Sequence, residues 1–424
     1  MNEIQKVTFE KLVFGGDCLG RLPDGRAVFV PFALPGEVAE IEITESKERF
    51  ARGRVVNLLV KSPDRIEAPC PYFTICGGCH YQHLDYAQQL KLKQALVKDQ
   101  LERIGKLTNL PEIPMTASAT PFGYRNQVQL HPTNLENGEG LSSLGFKRAD
   151  SNNVLPIAKC LLVPDELNAI LAQLELEANS GISRLAMRID SDGELMLIFT
   201  GESDEPPDLS IELPVSSSYI FPDGQCLNLS GNDALVFTVL GKEFLVSPES
   251  FFQVNLSVAE EMIKHVLSLF DGQESLEILE LYSGVGLFTR FLAPHASQLT
   301  AIESSPSACF DFVTNLDEFD NISLYEGAVE DVLPGLLEQI APVNLVVLDP
   351  PRAGLNVKAR QALIDLAPHQ IIYISCDPST LARDLKHFSE SGYDLQSLKA
   401  FDMFPQTAHV ETMIELRRTQ RVTS

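Results

Sequence analysis

Leu279-Glu280-Leu281-Tyr282-Ser283-Gly284-Val285-Gly286-Leu287-Phe288-Thr289 reads as a strand, a glycine turn and the start of a helix. The glycines let the backbone approach a ligand closely. One strand later, Ala301-Ile302-Glu303 ends in an acid placed to accept hydrogen bonds from a ribose. Dinucleotide binding is the rival reading. The turn lacks the third glycine of G-x-G-x-x-G, however, and nothing nearby suits a pyrophosphate. An adenosine-bearing cofactor without phosphates, S-adenosylmethionine, fits better.

Outward from that turn, strands and helices alternate after Phe251, the mark of a doubly wound sheet. The expected strands are Leu276–Tyr282, Leu299–Glu303, Ile322–Tyr325, Leu345–Leu348 and Ile371–Ser375. Leu395–Phe401 and Thr412–Leu416 have no helix between them and are expected to pair antiparallel at an edge. Ligands of such sheets sit beyond the carboxyl ends of the strands. Two further strand ends carry chemistry. Asp349-Pro350-Pro351-Arg352 places a carboxylate and rigid prolines there, although a turn with a helix cap is the plain alternative. In amino-methylating enzymes a similar tetrad ends in an aromatic, and Arg352 in that place argues against methylation of nitrogen. Cys376, before Asp377-Pro378, is a candidate nucleophile, against a plain reading as a small buried hydrophobe.

Residues 1–60 read as short strands with turns at Gly15-Gly16, Pro23-Asp24-Gly25 and Pro35-Gly36, a pattern suited to a small β-barrel. Tyr86 to Ile104 has helical periodicity. From Tyr124 to about Leu240 the pattern is mostly β, with a hairpin around Ser191-Asp192-Gly193. Asp165 to Leu176 is expected as a helix capped by Asp165, and Glu202 to Pro214 as a polar loop.

The formal net charge is −25, which as an average argues against nucleic acid. Its distribution matters more. Residues 1–160 carry 19 Lys+Arg and 18 Asp+Glu, and residues 161–424 carry the remaining 14 and 40. No stretch is apolar enough to span a bilayer, and the N-terminus has no signal-peptide core. Eight unevenly spaced cysteines do not look like a disulfide framework, so the cytoplasm is the expected location.

Cys70, Cys76 and Cys79 form C-x5-C-x2-C around Gly77-Gly78. Three thiolates so close fit a metal centre with a distant fourth ligand, best supplied by Cys160, with His80 and His83 as competitors. Such a set suits zinc or an iron–sulfur cluster, and N–H donation from Gly77-Gly78 to sulfide favours the cluster. Three unligated buried thiols are the plain alternative.

Together these motifs resemble the RNA uracil-C5 methyltransferase family. The matching residues are Phe252-Gln253-Val254-Asn255, Leu281-Tyr282-Ser283-Gly284-Val285-Gly286, Glu303, Asp349-Pro350-Pro351-Arg352-Ala353-Gly354, Ser375-Cys376-Asp377-Pro378 and Asp402-Met403-Phe404-Pro405-Gln406-Thr407-Ala408-His409-Val410-Glu411. The resemblance implies a multidomain α+β chain in three parts. These are an OB-like TRAM barrel over 1–60, a central mostly β iron–sulfur and RNA-binding region over 61–241, and a Rossmann-like methyltransferase domain over 242–424. It implies a [4Fe–4S] site at Cys70, Cys76, Cys79 and Cys160, with zinc the lesser alternative.

Further implied roles are Cys376 as nucleophile toward C6 of uracil and Glu411 as base. Gln253 would hold the methionine part of S-adenosylmethionine, Tyr282 and Glu303 its adenosine, and Asp349 would lie between cofactor and target. Members with both barrel and cluster most often act on large-subunit rRNA, so methylation of 23S rRNA is expected, with tRNA the alternative. The expected partner is RNA, engaged by a monomer with no membrane and no obligate protein partner. Two other classes compete: a non-catalytic iron–sulfur RNA-binding or ribosome-assembly protein, and a methyltransferase acting on amino groups of metabolites or proteins.

Overall fold

The computed structural model describes residues 4–108, 110–136, 140–178, 180–207, 213–270, 272–340 and 342–419. Strands β1 (Ile4–Leu12), β2 (Asp17–Arg21), β3 (Ala27–Pro31), β4 (Val38–Ser46) and β5 (Phe50–Val60) close a barrel in the order β1-β2-β3-β5-β4. Alternating residues fill it, among them Val7, Phe9, Val28, Val30, Ala39 and Ile41. Closure leaves no unpaired strand edge.

Helix α1 (Tyr86–Arg103) follows, its first turn capped by Asp85, whose side chain accepts from Ala87 N. The two-residue strand β6 (Met115–Thr116) leaves for a distant sheet described below. The central sheet runs β10-β8-β7-β11-β12-β13-β14, with β9 beside β8. Its strands are β7 (Gln127–Glu136), β8 (Leu141–Lys147), β9 (Val154–Pro156), β10 (Leu176–Glu177), β11 (Ile182–Ile189), β12 (Leu195–Gly201), β13 (Ser216–Ile220) and β14 (Cys226–Ser230). The hairpin expected at Ser191-Asp192-Gly193 is the β11–β12 pair.

Helix α2 (Asp165–Leu171) is shorter than expected, and Pro164, not Asp165, is its N-cap. The Asp165 carboxylate instead takes Lys159 Nζ at 2.8 Å. Residues 208–212 of the expected Glu202–Pro214 loop lie outside the described residues.

A hairpin of β15 (Leu235–Val239) and β16 (Lys242–Val246) spans the expected boundary at residue 241. It shares one apolar core with α3 (Leu256–Ser268). The third part is an eight-stranded sheet in the order β19-β18-β17-β20-β21-β23-β22-β6. Along the chain come β17 (Leu276–Leu281), α4 (Thr289–Leu292), β18 (Ala296–Glu303), α5 (Pro306–Asn315), β19 (Ile322–Glu326) and α6 (Val329–Ile340). Then follow β20 (Leu345–Leu348), α7 (Val357–Leu366), β21 (Gln370–Ser375), α8 (Pro378–Glu390), β22 (Tyr393–Phe401) and β23 (Glu411–Arg418).

Continuous apolar runs such as Leu345–Leu348 are buried along their whole length, as strands covered on both faces must be. β22 and β23 pair antiparallel as expected. They do not form the outer edge, because β6 lies parallel to β22 with Ala400 opposite Met115. Among the described residues no helix is long and apolar enough to cross a membrane.

Candidate active site

The carboxyl ends of four neighbouring parallel strands, with the start of one antiparallel strand, assemble the site. β18 ends at Glu303, β17 leads to Tyr282, β20 to Asp349 and β21 to Cys376. β23 runs the other way, pairing Thr412 with Ser375, so its first residue, Glu411, arrives beside the thiol.

The glycine turn is specified sterically. Tyr282, Gly284 and Gly286 all have positive φ, at 62°, 55° and 90°. A Cβ on Gly286 would stand 2.6 Å from Leu316 Cδ1, so a side chain there meets both strain and the α5 core. The Glu303 carboxylate accepts from Gly284 N at 2.9 Å and from Ser304 N and Ser305 N at 2.7 Å each. It thus ties the end of β18 to the glycine turn, and its oxygens keep lone pairs for a further donor. Beneath the turn, Glu280 is buried and accepts from Thr289 Oγ1 at 2.7 Å. Burial pushes its carboxyl up to about 8, opposed by the Thr289 hydrogen bonds.

Cys376, Asp349, Glu411 and Arg352 interact electrostatically where these strand ends adjoin. Burial raises the Cys376 thiol to about 12, and the Glu411 and Asp349 carboxylates add to the rise while Arg352 opposes it. Burial also raises Asp349 well above the usual carboxylate range. Glu411 is pushed up to about 8, first by burial and then by Asp349. Two neighbouring carboxyls of this kind release their protons as a pair. Arg352 reaches the His409 ring nitrogens at 3.3 and 3.4 Å. Burial and that guanidinium lower His409 to about 4, leaving it neutral near pH 7. Asp377 caps α8, accepting from Ser379 N at 2.8 Å and Thr380 N at 3.2 Å.

Gln253 stands where α3 begins, and its segment is anchored by the central sheet. Asn126 Nδ2 donates to Gln253 O at 3.0 Å, and Asn126 N donates to Val254 O at 3.0 Å. The buried Arg188 guanidinium donates to Ser247 O, Ser250 O and Gln127 Oε1 at 3.0–3.1 Å. From sequence, Asn126 is expected with Tyr124 and Arg125 to hold the surrounding RNA, whereas its side chain and backbone N–H are spent on Gln253 O and Val254 O. Sequence reasoning missed Arg188, although a lone arginine within an otherwise apolar strand, Leu185-Ala186-Met187-Arg188-Ile189, is the signal that could have found it.

Cys70, Cys76, Cys79 and Cys160 line one cavity of about 360 Å³. Gln82 Nε2 donates to Cys79 Sγ at 3.2 Å and Gly78 N to Cys76 Sγ at 3.4 Å. Asn168 brackets Cys160, accepting from its N at 2.8 Å and donating to its O at 3.0 Å. His80 and His83 are not among the residues lining this cavity. His80 Nδ1 accepts from Ala408 N, and the His83 ring lies against Phe32 and Phe73. Among the described residues, no group of three or more His, Cys, Asp or Glu could hold a metal ion. Zinc would need its donors drawn in to roughly 2.3 Å from one point. The four thiols line one shared cavity, with a backbone N–H directed at the sulfur of Cys76 and an amide N–H at that of Cys79.

The family described as tRNA (Uracil-5-)-methyltransferase matches residues 235–419, and the TRAM domain matches residues 2–56. A protein of Halalkalibacterium halodurans named an uncharacterized RNA methyltransferase is 31% identical over 98% of this chain and 97% of its own length. An Aquifex aeolicus protein named in the same way is 33% identical over 96% and 97%. Among solved structures, the Pyrococcus abyssi tRNA (uracil-54, C5)-methyltransferase in complex with S-adenosyl-L-homocysteine superimposes with a TM-score of 0.73. It is 24% identical, covering 97% of this chain and 99% of that one.

Proposed function

The chain belongs to the S-adenosylmethionine-dependent RNA (uracil-C5) methyltransferase family, and from that membership we propose that it forms 5-methyluridine in 23S rRNA through a covalent adduct at Cys376. The convergence of Cys376, Asp349 and Glu411 at adjoining strand ends carries this reading.

The Cys376 thiolate adds to C6 of uracil, and the C5–C6 π electrons become an enolate through C4–O4. S-adenosylmethionine, when bound, would supply the methyl group that C5 takes, its sulfonium becoming a neutral thioether. Glu411 removes the remaining proton on C5. The C5–H electrons restore the C5=C6 bond and expel the thiolate. Gln253 orients the methionine part of the cofactor. Glu303 and Tyr282 hold its adenosine, and Asp349 stands between cofactor and base. The target uridine must leave its stack to enter the crevice.

Ribosomal RNA is favoured by the pairing of a TRAM barrel with the four-cysteine cavity, and tRNA by the description of the matching family. Mass mapping of 5-methyluridine in a deletion strain decides between them. One 23S rRNA site is expected to lose its methyl group. Loss in tRNA alone would move the substrate, and loss in neither would overturn the reading.

The cysteine cavity is proposed as a [4Fe–4S] site held by Cys70, Cys76, Cys79 and Cys160. When bound, the cluster would fix the 70–79 loop to the Cys160 segment. Anaerobic reconstitution should load four irons with a thiolate-to-iron absorption band, and Cys79→Ala should abolish both. Unchanged iron binding in that variant would remove the assignment. All eight cysteines are free of disulfides, which suits work in the reducing cytoplasm.

A further inference from the structure

The loop between β22 and β23 carries Glu411 at its far end, and side chains distant in sequence pin it at successive residues. Lys93 Nζ, fully buried, donates to Asp402 Oδ1 at 2.5 Å and to Phe404 O at 3.0 Å. Asn255 Nδ2 donates to Met403 O at 3.2 Å, and Tyr124 OH donates to Pro405 O at 3.1 Å. Gln89 brackets Gln406, donating to its Oε1 at 2.9 Å and accepting from its backbone N at 3.2 Å. The Gln406 carbonyl takes His80 N at 2.8 Å and Tyr81 N at 3.0 Å. Gln406 has a φ of 68°, a conformation a non-glycine residue holds only when its surroundings dictate it.

Helix propensity and surface solubility do not account for Lys93. An ammonium taken out of water is costly unless paired, and among the described residues its ion-pair partner is Asp402, also fully buried. A pair of leucines would pack such a junction at less cost in desolvation. What the ion pair supplies instead is direction: it fixes where the chain leaves β22 and how it turns toward Glu411. Cys376 is held separately, by β21 and the capped start of α8.

We propose that Lys93 is a positioning residue for the second half of the reaction: through Asp402 and Phe404 it sets the loop so that Glu411 meets the proton on C5. Gln89 is the second anchor of the same loop. Thiolate attack and methyl transfer do not depend on it. The inference rests on the proposed role of Glu411 as base.

The test measures four quantities on the full chain: cofactor binding, single-turnover methyl transfer, steady-state turnover, and the fraction of RNA covalently held at Cys376. Lys93→Met leaves Asp402 buried and unpaired, so the Lys93→Met/Asp402→Asn double variant is the main one. Gln89→Ala, which removes an anchor and no charge, is measured beside it. In the double variant, cofactor binding and methyl transfer are expected to hold. Steady-state turnover is expected to fall on the order of 10²-fold, the effect of a misplaced group, with methylated adduct accumulating. Gln89→Ala should shift the same partition by less, and it carries the test alone if the ion-pair variants do not fold. Equal losses in transfer and release, or no adduct in folded variants, would overturn the proposal. Glu411→Gln serves as control: if it traps no adduct, the reading of Glu411 fails first.

Discussion

Glu411→Gln is expected to leave the protein joined to its RNA. With the cofactor present, C5 becomes methylated while its proton stays in place, so the bond from Cys376 to C6 cannot break. A species migrating slowly on a denaturing gel should appear, and turnover should fall by roughly 10²–10⁴-fold, the usual contribution of a positioned base. The native protein should approach the same state as pH is lowered. Burial pushes Glu411 up to about 8, so the carboxylate, the only form able to accept the proton, fades as pH falls below that value. Release should slow with it, read in single-turnover experiments by forming the adduct at higher pH and then jumping the pH down, where the adduct already formed should persist longer. Intact RNA binding with no slow species at any pH would count against the assignment.

Cys376→Ala is expected to remove methyl transfer altogether, by on the order of 10⁴-fold or more, while cofactor and RNA still bind. C5 of uracil is too weak a nucleophile to take the methyl group until something adds at C6. The resting thiol is held protonated, raised to about 12 by burial and by Glu411 and Asp349. A bound sulfonium would oppose that rise, so the proposed nucleophilic thiolate would be favoured in the assembled complex and scarce in the idle protein. The scarcity also guards it from oxidation, which follows thiolate character. Mass analysis for 5-methyluridine reads the result. Transfer by Cys376→Ala within tenfold of native would mean that no covalent step is needed.

Much of this was legible in residues. Continuous apolar runs ending at Glu303, Leu348 and Ser375 announced parallel strands buried on both faces, and the carboxyl ends of those strands pointed to the place of the candidate site. Gly286 was read as letting the backbone approach a ligand, whereas the close neighbour the structure shows is the Leu316 side chain. Glu411 was legible only through its motif, because no periodicity says that an antiparallel strand will return beside Cys376. β6 was not legible, since two residues carry no pattern. Lys93 sits among Lys91, Lys98 and other polar residues of an amphipathic helix, where a cation reads as solvated surface. Its burial is decided by a loop 309 residues away.

That separation also gives the molecule a history. At synthesis rates of ~5–20 residues per second, Lys93 emerges roughly 15–60 s before Asp402. Throughout that interval its ammonium stays in water, and β6 has no β22 to lie against. The barrel and the helix can settle early, and the glycine turn can form once residue 303 is out. The proposed base, Glu411, cannot be set until the chain's first hundred residues and residues 402–411 meet. On the proposed mechanism, catalytic competence is thus the last property the nascent chain acquires, and a ribosome-bound fragment able to hold the cofactor would still be unable to release an RNA.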